Sequence, residues 1–172
     1  MVREINKYGN LVLNKKCVPC LPKEKASFLS EVTDSGSYWS DDVIELVRDL
    51  KDTAMSNAAN TAGLAAPQIW WKDEPCPAVF VVRTTGQNGE FLFTELINPF
   101  VKTSGKTYRN EEVCLSVPKY TCEVKREMNA YVEYQLLEGP DIHKSKLFGK
   151  FDFNSFVVQH EYDHLQGKLI KK

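Results

Sequence analysis

The chain has 172 residues, 42% hydrophobic and 26% charged, with a formal net charge of −1. This length and composition are typical of one globular domain spanning residues 1–172, and the near-neutral charge excludes strong electrostatic binding to nucleic acid or anionic membranes. The first residues lack the apolar core of a signal peptide, and no apolar run is long enough to span a membrane. We therefore expect a monomeric protein of the cytoplasm.

The five cysteines are an odd number at irregular spacing, which indicates a reducing compartment rather than a disulfide framework. Cys17 and Cys20 form a C-x-x-C pair, but no second pair follows at the spacing of a zinc site. We therefore expect core or surface thiols here rather than a structural zinc.

Residues 30–40 are polar and small and predict a loop. Ser40 followed by two aspartates predicts the start of a helix, because acids in the first turn interact favourably with the helix dipole. Apolar residues then recur with helical spacing to about residue 55, so the helix should end near residues 56–57. Residues 60–68 come next and are too poor in large side chains to suggest core, while Gly63 permits a close backbone approach.

Three segments rich in β-branched and aromatic residues predict strands, at residues 78–82, 91–97 and 130–137. Residues 86–89 read Gly-Gln-Asn-Gly, which favours a hairpin connection between the first two strands. The pattern predicts an α+β domain with mainly antiparallel strands.

The most informative motif is His-Glu-x-x-His at residues 160–164. Residues four apart on a helix lie one above the other, so His160 and His164 can bind one divalent metal ion from a single face. Glu161 lies about 100° round the helix, where it can reach a metal-bound water without being a ligand. The same pattern is also compatible with two hydrogen-bonded core histidines.

A helix around this motif is predicted locally. Asp152 or Asn154 can cap its N-terminus, and Gly167 is a natural C-terminal stop. A catalytic metal normally takes one further protein ligand and keeps a water. Cys114 is the informative candidate, because it lies among small and apolar neighbours at an expected strand edge or turn, where a metal would hold it as thiolate.

These motifs together resemble those of the peptide deformylase family. Three segments match that family's three motifs in the right order, and weaker similarities extend over most of the chain. The motif segments are residues 63–68, 112–116 and 159–165, and the weaker similarities lie at residues 8–10, 97–99 and 167–169.

The resemblance implies strands packed around a central metal-binding helix that carries the His-Glu-x-x-His motif. It implies one Fe²⁺ per chain, replaceable by Zn²⁺, Ni²⁺ or Co²⁺, bound by Cys114, His160, His164 and a water. In the family a metal-bound hydroxide attacks a formyl carbon, and the glutamate that matches Glu161 acts as general base and then general acid.

The implied substrate is the N-formyl-methionine of a polypeptide leaving the ribosome. The side-chain amide of Gln68 and the backbone N–H of Leu115 would stabilise the charge that develops on the formyl oxygen. The backbone at Gly63 would pair with the extended peptide. Candidates for lining the methionine pocket are Phe153, Phe156 and Val157.

Two positions depart from the family pattern, because Thr61 and Val113 occupy sites that are usually glycine. They keep open an alternative function, a deformylase-like protein that binds metal or formylated N-termini with little turnover. Such branched residues could also strain the backbone. A zinc endopeptidase uses the same helix motif but needs a further ligand downstream, and the eight residues after His164 contain no His, Asp or Glu. A phage, an organelle or an atypical bacterium would each be a compatible source.

Overall fold

The structure is a computed structural model that describes residues 1–23, 38–148 and 154–170. Within these ranges five strands form one antiparallel sheet in the order β1-β2-β3-β4-β5. Two α-helices pack against it, which confirms the predicted α+β class. The strands are β1 (Gly63–Ala65), β2 (Val79–Thr85), β3 (Phe91–Cys114), β4 (Val117–Leu136) and β5 (Gly139–Phe148), and the helices are α1 (Asp41–Ser56) and α2 (Asn154–Leu165).

Helix α1 follows the prediction closely. Ser40 is in the N-cap position with extended backbone, although its side chain makes no capping hydrogen bond. The predicted apolar residues are buried and pack against β2 and β3. Neither α1 nor α2 is long and apolar enough to cross a lipid bilayer.

The strands are longer than predicted. The hairpin connection at residues 86–89 is confirmed, since β2 ends at Thr85 and β3 begins at Phe91. However, β3 continues to Cys114, β4 begins at Val117, and β5 was not predicted at all. Many side chains in these added parts are exposed, so hydrogen bonding to the neighbouring strand, rather than burial of an apolar face, stabilises the strands there. The sequence therefore carries no alternating apolar pattern from which these parts could be predicted.

The expectation that residues 60–68 lie outside the core was wrong for residues 63–68, all of which are buried. Leu64 and its neighbours Ala65 and Ala66 belong to the main hydrophobic core. Small side chains are needed here because helix α2 packs directly against β1. A Cβ atom on Gly63 would lie 2.7 Å from Glu161 Oε1 and 2.9 Å from Val157 Cγ1.

Helix α2 contacts all five strands. Its C-terminus is closed at Gly167, which has φ +71°, with the Gly167 N–H donating to His164 O (3.1 Å) and the Lys168 N–H to Asp163 O (2.9 Å). This is the Schellman arrangement that favours glycine, as the sequence predicted. The candidate cap Asp152 and residues 30–37 of the predicted loop lie outside the described residues.

The C-x-x-C cysteines are core thiols. Cys17 and Cys20 are buried together with Cys76 in the main hydrophobic core. Cys17 also donates its backbone N–H to Leu165 O (2.9 Å), so this segment supports the last turn of α2. Burial raises the pKa of Cys20 to about 12, which keeps this thiol protonated near neutral pH.

Candidate metal centre

Three potential metal ligands come together where the end of β3 meets α2. Cys114 is the last residue of β3, and His160 and His164 lie one turn apart on α2. One ligand atom from each residue lies within 4.8 Å of the other two, and Cys114 Sγ is 3.3 Å from His164 Nε2. All three side chains are buried, so the structure assembles the group that the sequence suggested.

A buried ionic network supports this group. His160 Nδ1 lies 2.8 Å from Glu112 Oε2, which leaves its Nε2 free to bind a metal. Arg126 donates two hydrogen bonds to the Glu112 carboxylate, at 2.7 and 2.8 Å, and a third to Asp163 Oδ2 at 2.5 Å. Burial opposes the charge on Glu112, but the hydrogen bonds from Arg126 and His160 prevail and lower its pKa to about 2. The carboxylate therefore stays ionised and fixes the His160 ring.

Sequence reasoning missed this supporting network. Glu112 was part of a motif segment, but the sequence analysis assigned it no role. Arg126 lies in a part of β4 that contains no motif. The only available signal was that a glutamate next to a buried strand end needs a charged partner. The identity of that partner depends on the β3–β4 pairing, which brings residues fourteen apart into contact.

Glu161 faces the same cavity from the adjacent position on α2. Its side chain is only 4% exposed, and burial raises its pKa to about 7. One carboxylate oxygen, Oε2, has no hydrogen-bond partner. A carboxyl group in this state can both accept and return a proton near neutral pH.

Gln68 is oriented by its own turn. The Ala65 N–H donates to Gln68 Oε1 at 2.9 Å, so the amide NH₂ points away from that backbone. Gln68 Nε2 lies 3.2 Å from Ser116 Oγ and 3.6 Å from Cys114 Sγ. Asn6 in the N-terminal segment donates its backbone N–H to Gln68 O at 2.7 Å, which stabilises the turn. The amide is thus a fixed donor beside the potential ligands.

A cavity of about 520 Å³ opens onto these groups. Of the predicted substrate-binding residues, Gly63, Phe156 and Val157 line it, whereas Phe153 lies outside the described residues. Leu115, predicted as an oxyanion donor, also lines it. The cavity also contains residues that the sequence did not single out, namely residues 59, 60 and 62, Arg83, Asn110 and Glu111.

Neither departure from the family pattern strains the backbone. In the described ranges, Asn98 and Lys119 are the non-glycine residues with positive φ, so Thr61 and Val113 have conformations open to branched residues. The Thr61 hydroxyl donates to Gly63 O at 2.8 Å, and Val113 is 66% exposed at the cavity. Both positions lie beside the cavity without displacing a ligand.

The donor set fits a divalent transition metal. A thiolate with two imidazoles prefers Fe²⁺ or Zn²⁺ to Mg²⁺ or Ca²⁺. Burial lowers the pKa of His164 well below its usual value and favours the neutral imidazole. At His160 burial has the same sense, but the hydrogen bonds with Cys114 and Glu112 prevail and raise its pKa to about 10, so a metal would displace a proton from this ring. The Nδ1 atom of His164 is buried without a hydrogen-bond partner among the described residues.

Comparison with known proteins decides the family. The family model described as polypeptide deformylase matches residues 2–172. The chain belongs to the polypeptide deformylase family. A curated peptide deformylase of Pseudothermotoga lettingae is 33% identical to it, over 98% of this chain and 81% of the relative.

Solved members of the family share the fold. A class I type b peptide deformylase from Acinetobacter baumannii, with K1U bound, has a TM-score of 0.73 and 26% identity, covering 99% of this chain and 97% of the neighbour. A probable peptide deformylase from Synechococcus phage S-SSM7 has a TM-score of 0.71 and 29% identity, covering 98% and 97%. The strand arrangement described above is therefore the arrangement of a deformylase.

Proposed function

We propose that this deformylase family member hydrolyses the formamide bond at the N-formyl-methionine of newly made polypeptides, releasing formate and a free α-amine. One observation carries the proposal. Cys114, His160 and His164 form a buried three-donor group, with Glu161 and Gln68 facing the same cavity. This combination provides ligands, a proton carrier and an oxyanion donor within one site.

We assign one ion per chain to the sulfur of Cys114 and the imidazoles of His160 and His164. Fe²⁺ is the proposed native ion, with Zn²⁺, Ni²⁺ or Co²⁺ able to replace it. When bound, such an ion supplies Lewis acidity, which lowers the pKa of the attacking water and polarises the formyl group. Glu112 and Arg126 would not contact the ion, but they fix the orientation of the His160 ring that binds it.

Glu161 is the proposed general base and acid. It accepts a proton as the water oxygen attacks the formyl carbon, and it returns that proton to the α-nitrogen as the carbon–nitrogen bond breaks. Two features of the side chain support this role. It is buried beside the histidines, and its Oε2 accepts no competing hydrogen bond from the part of the chain that the structure describes.

The negative charge that develops on the formyl oxygen needs donors that are already in place. The Gln68 amide is held by Ala65 with its NH₂ beside Cys114, and Leu115 lies in the turn that follows Cys114. We assign the Gln68 side chain and the Leu115 backbone N–H to this role.

The peptide itself is proposed to lie along β1. This strand is at the edge of the sheet, paired with β2 on one side, so the backbone at Gly63 can pair with an extended chain. Phe156 and Val157 line the same cavity from α2 and are the proposed apolar contacts for the methionine side chain. We further propose that the protein acts as a cytoplasmic monomer on chains leaving the ribosome.

The direct test is release of formate from formyl-Met-Ala-Ser by protein purified anaerobically with Fe²⁺, after measurement of metal content. We expect about one ion per chain and formate production. Glu161→Gln should keep the metal and lower kcat by a factor of about 10² to 10⁴. Cys114→Ser should lose the metal, whereas the matched variant Cys20→Ser, at another buried cysteine, should retain it.

Two outcomes would contradict the proposal. Metal-loaded protein that releases neither formate nor cleaved peptide would indicate a binding protein. Peptide-bond cleavage without formate would indicate an endopeptidase. Full activity in Glu161→Gln would remove Glu161 from the mechanism while leaving the reaction itself intact.

A further inference from the structure

Arg83, in β2, lines the cavity and forms no ion pair within residues 1–23, 38–148 and 154–170. Three arginines in the described ranges are buried or half-buried. Arg3 pairs with Glu45 and Asp49, and Arg126 pairs with Glu112 and Asp163. No carboxylate of the described residues forms an ion pair with Arg83. Among the described residues, its positive charge is therefore not neutralised by direct contact with a carboxylate at the wall of the cavity.

The guanidinium is nevertheless held in place. Its Nη2 donates to the backbone carbonyls of Ala58 and Thr61, and the group lies over the ring of Phe91, 5.1 Å from the ring centroid. Nε is buried, but no described residue accepts a hydrogen bond from Nη1, which leaves this amino group able to donate to a ligand. An oriented guanidinium with donor capacity to spare is suited to bind a carboxylate, because planar N–H donors match the two carboxylate oxygens.

The place of Arg83 in the cavity indicates which part of a peptide it meets. This step rests on the proposed function, in which the formyl group reacts beside Gln68 and Glu161. Residues 59–62, which precede β1 in the chain, line the same cavity together with Arg83. An extended chain advances about 3.3 Å per residue. With the peptide placed antiparallel to β1, its second and third residues come alongside the residues just before Gly63, where Arg83 bonds to the Thr61 carbonyl.

We propose that Arg83 is a specificity-determining residue that favours formylated peptides with aspartate or glutamate at the second or third position. Glu111 also lines the cavity and opposes this preference. However, Glu111 is exposed, so solvent and salt screen its charge more strongly than that of half-buried Arg83.

The test compares kcat/KM of the Fe²⁺ enzyme on isosteric pairs of C-terminally amidated peptides. Formyl-Met-Asp-Ala-amide is compared with its Asn counterpart, and formyl-Met-Ala-Asp-amide with its Asn counterpart. Amidation removes the terminal carboxylate, so only the side chain differs in charge. We expect an Asp/Asn ratio of about 5 at one or both positions, falling towards 1 as the salt concentration rises.

Variants separate charge from support of the loop. Arg83→Gln keeps an amide donor on a shorter side chain but carries no charge, and it should bring the ratio to about 1. Arg83→Lys should keep most of the preference, and Glu111→Gln should increase it slightly. A purely structural role would change activity on both members of a pair equally and would leave the ratio and its salt dependence unchanged.

An Asp/Asn ratio of 1 or below at both positions in the wild-type enzyme would overturn the inference, as would a ratio unaffected by Arg83→Gln. If Arg83→Gln does not fold, Arg83→Lys and the salt dependence of the wild type decide the matter. Failure of the proposed function is separate, because it would appear as no formate from any peptide. Calorimetric affinities of the same peptides for Glu161→Gln would then still measure the preference.

Discussion

The two ends of the cavity differ in how strongly their side chains are fixed. At the inner end Cys114, His160 and Glu161 are buried, and His160 is held by the Glu112–Arg126 network. At the outer end Val113 is largely exposed and Thr61 is half-buried, and these are the two positions where the motif resemblance led us to expect glycine. The comparison teaches that the two departures from the expected motifs lie where side chains are more exposed, whereas the potential ligands and Glu161 lie where side chains are buried.

Apart from Glu161→Gln, the largest effect is expected at the inner end, from Gln68→Leu. Leucine has a similar size but cannot donate a hydrogen bond to the formyl oxygen. Loss of one such donor costs about 3 kcal/mol in the barrier, so kcat should fall by a factor of about 10² to 10³ while metal content stays the same. Steady-state formate release together with metal analysis measures both. Unchanged kcat would exclude Gln68 as an oxyanion donor.

Glu112→Gln tests whether the supporting network matters as much as the ligands. Glutamine cannot balance the charge of Arg126 and holds the His160 ring less firmly. We expect metal affinity to fall by a factor of about 10 to 100, measured by competition with a chelator. Glu111→Gln is the matched control, because it makes the same change at the exposed neighbouring residue. Equal losses in the two variants would contradict a special role for Glu112.

Phe156→Ala tests whether Phe156 contacts the methionine side chain of the substrate. Phe156 is half-buried on α2 and lines the cavity. If it contacts the methionine side chain, truncation removes apolar contact area and should raise KM for formyl-Met-Ala-Ser by about tenfold. The rise should be smaller for formyl-Ala-Ala-Ser, whose side chain does not reach the pocket. Parallel changes for both peptides would place Phe156 in the core rather than in the pocket.

The smallest effect is expected at the outer end, from Thr61→Gly and Val113→Gly. Neither residue is in a strained conformation, so restoring glycine relieves nothing and adds backbone freedom. We expect kcat/KM to change by less than about threefold, with a small loss of thermal stability. A gain of tenfold or more in either variant would show that the branched residues limit turnover in this chain.

Local sequence patterns predicted much of this molecule. The acids and apolar spacing of α1 predicted its bounds to within a residue or two, and Gly167 marked the end of α2. The order of three short motifs indicated the family and singled out Cys114, His160 and His164. These features are accessible from sequence because capping, helical periodicity and ligand chemistry depend on residues close together in the chain.

Other features were decided only by the tertiary structure. The pairing of Glu112 with Arg126, the burial of residues 63–68 against α2, and the position of Arg83 at the cavity all join residues distant in sequence. Strand β5 forms by pairing with β4, without an apolar pattern of its own. Such contacts depend on strand register and helix packing, which bring groups together only once the chain has folded.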